Sequence, residues 1–119
     1  MHRILILTAA LLPSPALAAE LWCMPQTLCR ADGSCRATTD AENSIRLADL
    51  QAQASTLRAD AENIMLTRKT GGTVVEWGGT DGMGRAVQLI WTVSDMSYTY
   101  TITETGGAVF KDIGVCEVQ

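Results

Sequence analysis

Arg85-Ala86-Val87-Gln88-Leu89-Ile90-Trp91-Thr92-Val93, followed after Ser94-Asp95-Met96-Ser97 by Tyr98-Thr99-Tyr100-Thr101-Ile102-Thr103, decides the fold class of this chain. Val87, Leu89, Trp91 and Val93 alternate with smaller or polar residues, the two-residue period of a half-buried strand. The second run is rich in β-branched and aromatic residues with the same alternation. A four-residue turn at 94–97 predicts Val93 opposite Tyr98, Trp91 opposite Tyr100 and Leu89 opposite Ile102. All the large side chains then share one face, and each cross-strand pair adds about 0.2–1 kcal/mol.

Working outward, Gly106-Gly107 marks the next turn, with closing strands expected at 108–111 and 115–118. Upstream, 64–68 and 73–77 flank Thr70-Gly71-Gly72 as another hairpin. The stretch from Thr39 to Met65 reads two ways. It has no Gly or Pro, opens on the capping box Thr39-Asp40-Ala41-Glu42, and spaces Leu47, Leu50, Ala54, Leu57, Ala61 and Ile64 as an amphipathic helix would. As strands it divides into 44–47 and 55–59, with Asp60-Ala61-Glu62-Asn63 as a polar turn.

The first residues bear on compartment. His2-Arg3, the apolar run Ile4 to Leu12 and Ala16-Leu17-Ala18 have the order of a secretory signal peptide cleaved after residue 18. The expected organisation is therefore a signal segment, 1–18, and one domain, 19–119, delivered to the periplasm or secreted. The cleaved segment would carry away His2, the sole histidine. Ser-His-Asp and Cys-His catalysis, and histidine-held zinc or copper, then lose an essential component.

Four cysteines remain: Cys23, Cys29, Cys35 and Cys116. An even number in a short exported chain predicts disulfides. Zinc sites favour two close pairs, and no C-x-x-C redox motif is present. Asp32-Gly33, midway between Cys29 and Cys35, is a tight-turn signal that would set these two sulfurs opposite each other. Cys23 would then pair with Cys116 and tie the first strand to the last. The alternative joins Cys23 to Cys29 and Cys35 to Cys116.

Trp22-Cys23, the turn Cys29-Arg30-Ala31-Asp32-Gly33-Ser34-Cys35 and Gly114-Val115-Cys116-Glu117 together resemble small exported bacterial proteins with four cysteines. These share an aromatic residue beside the first cysteine and a last cysteine near the C-terminus. The resemblance implies an all-β chain, a small antiparallel meander or barrel-like sheet stapled by two disulfides, and it carries no known activity. The alternative is an α+β fold with one helix around residues 40–66.

Nine basic side chains face thirteen acidic ones, a net charge of −4. Only Arg68-Lys69 are adjacent, so no basic patch exists to drive nucleic-acid binding or attachment to an anionic membrane. Glu76 and Asp81 flank Trp77-Gly78-Gly79-Thr80 as a candidate carboxylate pair for a hydrolase. The spacing fixes neither their separation nor their burial, and no enzymatic activity is expected. The loop Gly78-Gly79-Thr80-Asp81-Gly82-Met83-Gly84 reads as a hairpin connection, with Trp77 and Asp81 as the candidate binding residues. Trp22, Trp91, Tyr98 and Tyr100 read as packing. No cofactor or metal is expected. The function expected is that of a small exported binding protein with an unknown protein or cell-envelope partner. Small periplasmic lysozyme inhibitors, of comparable size and acidity, suggest a cationic enzyme as that partner by fold-level analogy. A structural envelope module is the alternative.

Overall fold

The computed structural model describes residues 19–38, 44–59 and 62–119. The expected signal segment, the Thr39–Glu42 capping box and Asp60-Ala61 lie outside them. The described residues are all-β: β1 (Leu21–Cys29), β2 (Cys35–Ala37), β3 (Ile45–Leu47), β4 (Ala54–Ala59), β5 (Glu62–Thr70), β6 (Val74–Thr80), β7 (Ala86–Thr92), β8 (Ser97–Thr103) and β9 (Val109–Val118). No helix forms at 44–59 or 62–66, so the helical alternative is set aside. The alternation of Ile45, Leu47, Leu57, Ala59, Ile64 and Leu66 buries one face of three strands. The isolated residues of the helical period could bury less of it.

Consecutive strands pair antiparallel from β3 to β9, and β9 returns to β1 along the whole of β1. The other edge of β1 takes β3 at Leu21–Cys23 and β2 at Thr27–Cys29. The nine strands thus fill eight positions of a closed barrel, since β2 and β3 share one. Among the described residues closure leaves no long strand edge open to a second chain. An eight-position barrel is just wide enough for side chains to fill it or for one small ligand to enter. Leu21, Leu47, Leu57, Leu66, Trp77 and Leu89 fill the interior and are fully buried.

Both disulfides are formed, Cys23–Cys116 and Cys29–Cys35. Cys23 lies directly opposite Cys116 on the β1–β9 seam, and Cys29 opposite Cys35 across the first hairpin. The hairpin tightens as the Asp-Gly signal predicts. Gly33 takes a φ of 91°, and the Asp32 carboxylate accepts from the Ser34 amide and hydroxyl.

Two details of the expected meander change. The β7–β8 hairpin is displaced by two residues: Trp91 opposes Tyr98, Leu89 opposes Tyr100 and Val87 opposes Ile102. The turn sits at 93–96 because Met96 adopts a φ of 62° and Asp95 binds the Ser97 amide and hydroxyl. Val93 therefore leaves the sheet and is exposed. A two-residue slip keeps every side chain on its original face, whereas a one-residue slip would have turned the core outward. Residues 109–118 form one strand rather than two.

Gly114, inside β9, faces a bulge in β1 between Pro25 and Thr27. A Cβ there would collide with the Met24 carbonyl oxygen and lie 2.9 Å from Pro25 Cα. These are backbone atoms and cannot rotate away. Gly114→Ala is expected to cost about 1–3 kcal/mol through displacement of the seam, read as a lower urea midpoint. An unchanged midpoint would mean that the bulge relaxes freely.

Candidate functional site: the open mouth of the barrel

The two ends of the barrel differ. At one end the segment leading into β1 meets the end of β9, with the Gln119 amide donating to the Glu20 carbonyl at 2.9 Å. The 48–53 loop covers this end. Leu50 packs on the core, and the buried Ser55 hydroxyl donates to the Asp49 carbonyl. The other end, where β1 finishes and β9 begins, holds a cavity of about 440 Å³. That volume lies within the usual range of small-molecule sites.

The mouth draws on residues far apart in sequence. Leu28, Ile45, Ile64, Ile102 and Phe110 supply apolar wall, with Tyr100 buried among them. Arg30 and Arg36 reach it from the first hairpin, Glu62 from the start of β5, Asp81 and Arg85 from the β6–β7 turn, and Asp112 from β9.

Asp81, one of the two candidate binding residues, is buried at this mouth. Its carboxylate accepts from the Met83 amide at 2.9 Å, the Arg85 amide at 2.9 Å and Arg85 Nε at 2.7 Å. Burial alone would raise its pKa. The Arg85 amide and guanidinium, the Met83 amide and the nearby positive charge outweigh that and hold it below its ordinary value. Asp81 thus locks the turn and fixes Arg85 across the rim, where Glu104 also approaches at 3.9 Å. Glu62 tethers the same turn by accepting from the Gly82 amide at 2.6 Å.

A carboxyl whose folded pKa is depressed stabilises the fold fully above its unfolded value, 3.8. That contribution is lost as pH falls below it, through the folded pKa. Asp81→Asn should therefore destabilise the protein by about 1–3 kcal/mol at neutral pH, and the gap between variant and parent should narrow as pH falls below 3.8. Urea midpoints across that range measure it. A gap that stays constant down to strongly acidic pH would remove the turn-locking role.

Trp77, the other candidate, is completely buried on the inner face of β6. It lies deeper than the mouth and does not line the cavity. Its Nε1, the Trp91 Nε1 and the Tyr98 hydroxyl have no hydrogen-bond partner among the described residues. Tyr98 opposes Trp91 in register, so two of these groups share one layer of the interior. Burial pushes the Tyr98 phenol well above its ordinary pKa, and the charge of Asp112 adds to this.

Glu76 points outward from β6, bonded to Gln88 Nε2 at 2.7 Å, over a shallow groove beside Gly78 and Gly79. It is on the far side of the barrel wall from Asp81, so these two carboxylates do not converge. The first three residues of the expected glycine loop are strand, because β6 runs through Gly78 and Gly79 to Thr80. A Cβ on Gly79 would lie 2.5 Å from the Met65 carbonyl oxygen, so β5 approaches too closely for a side chain.

Trp91, Tyr98 and Tyr100 are core residues, but Trp22 is not. It is 37% exposed, with the Arg46 guanidinium 3.9 Å above its ring and its Nε1 donating to Glu20 at 2.7 Å. Among the described residues no group of His, Cys, Asp and Glu is placed to hold a metal ion.

Sequence reasoning missed Arg30, Arg36, Glu62, Arg85 and Phe110. No local pattern marks them, because only barrel closure brings them together. No protein-family model, curated protein or solved structure matches this chain.

Proposed function

We propose that the protein is an exported binding protein that receives a small ligand at the mouth of its barrel. The observation that carries this reading is the asymmetry of the two ends. One is covered by the 48–53 loop, and the other keeps a cavity with apolar walls and a charged rim. A scaffold closed on itself holds such a rim rigidly, which suits recognition. Export to the periplasm or beyond rests on the order of residues at the start of the chain. Two disulfides suit the oxidising environment found there.

A ligand at the mouth is favoured over an acidic surface for a cationic enzyme. Among the described residues three arginines and three carboxylates line the mouth, so the rim they form carries no excess of negative charge.

Anilinonaphthalene sulfonate fluorescence tests the reading. The folded protein should bind the dye one-to-one, and Ile102→Arg, which fills the mouth, should abolish binding without unfolding the barrel. Unchanged dye binding in a folded Ile102→Arg variant, or no binding by the parent, would count against it.

A further inference from the structure

The charges at the mouth are not equivalent. Asp81 is engaged by Arg85 and two backbone amides, and Arg85 by Asp81. Glu62 takes the Gly82 amide, and Asp112 is engaged as well. Asp32, close to Arg30 in the hairpin, is bound by Ser34 at 2.8 and 2.6 Å. Arg30 and Arg36 differ from all of these, since neither forms an ion pair among the described residues. Both line the cavity. They immediately follow Cys29 and Cys35, so the Cys29–Cys35 bond holds their backbones together at one side of the mouth.

Two guanidinium groups beside an apolar wall set the chemistry of an occupant. Guanidinium forks bind carboxylates and similar anions with charge-assisted hydrogen bonds, and the wall favours hydrocarbon. A cationic ligand would meet two like charges, and a purely polar one would leave the wall unused.

We infer that the mouth selects a small anionic amphiphile, its head held by Arg30 and Arg36 and its apolar tail laid along Leu28, Ile64, Ile102 and Phe110. The inference rests on the mouth being a ligand site and adds the class of ligand. A fixed head and a desolvated tail together give selectivity that neither supplies alone.

Calorimetric titration with three probes of equal chain length, decanoate, decyltrimethylammonium and decanol, each below its aggregation concentration, separates the possibilities. Decanoate should bind at least about tenfold more tightly than the other two. The Arg30→Ser/Arg36→Ser double variant should weaken decanoate on the order of ten- to a hundredfold and leave decanol nearly unchanged. Arg36→Gln alone should lose part of the preference. Both arginines are exposed, so circular dichroism should be unaltered.

Equal or tighter binding of the cation or the alcohol would overturn the ligand class while leaving the cavity reading intact. A decanoate preference that survives in the double variant would overturn the role of the arginines. Failure of all three probes to bind would overturn both this inference and the proposed function.

Discussion

Replacing Cys23 and Cys116 by alanine is expected to lower the stability of the barrel by about 4–5 kcal/mol. The two residues are 93 positions apart, so their bond removes a long loop from the unfolded ensemble. In the native state the sulfurs sit at the seam where the last strand closes on the first, both almost fully buried. Losing them frees β1 and β9 from their covalent link and leaves a small gap between packed strands. For a domain of this size the change corresponds to a fall in Tm on the order of 20–30 °C. Cys29→Ala/Cys35→Ala should cost less, about 2–3 kcal/mol, because that loop spans only 6 positions. Exposure orders their reactivity in the same way. Cys35 is exposed, whereas the Cys23–Cys116 bond is shielded from an attacking thiolate. Mild dithiothreitol followed by alkylation and peptide mapping should label Cys29 and Cys35 first. First labelling of Cys23 and Cys116, or a larger Tm loss from the hairpin pair, would contradict this view of the seam.

Trp77→Ala should destabilise the protein by about 3–5 kcal/mol. The indole is completely buried among the core residues, so its removal both forfeits transfer energy and leaves a cavity. Trp22→Ala is the control. Trp22 lies under Arg46 on the outer surface, and its loss should cost only about 0.5–1 kcal/mol. Urea unfolding of the two variants separates core from surface. A Trp77→Ala protein that kept its stability but lost ligand binding would restore Trp77 as a binding residue, the role its place beside the glycine loop suggests from sequence.

That suggestion shows what a sequence can display and what it cannot. The inward parity of Trp77 was legible, since Val75 and Trp77 alternate with Val74 and Glu76 and both point into the barrel. Adjacency to Gly78-Gly79 pointed instead to a loop. Those glycines turn out to admit β5 closely rather than to open a connection. Strand identity in the second half was legible because β-branched and aromatic alternation is a local property. Register was less so, because the positive φ of Met96 and the Asp95–Ser97 bonds moved the turn without moving the faces. The disulfide pairing was legible from one Asp-Gly turn. Barrel closure followed only in part, through Cys23 and Cys116.

The mouth was the least legible feature. Arg30, Ile64, Arg85, Tyr100 and Phe110 meet there only after nine strands have paired. Asp81 was singled out from sequence for its place in the glycine loop and as a carboxylate partner for Glu76. Its bonds show what that place does locally: it fastens the turn that carries Arg85.

Ligand entry at this mouth is tested most directly by a backbone-amide NMR titration of the protein with decanoate. Saturable shifts are expected, concentrated on Arg30, Arg36, Ile64, Arg85, Tyr100 and Phe110, with the 48–53, 71–73 and 93–96 turns at the covered end unmoved. Shifts centred on those turns, spread evenly over the outer surface, or absent altogether would contradict it.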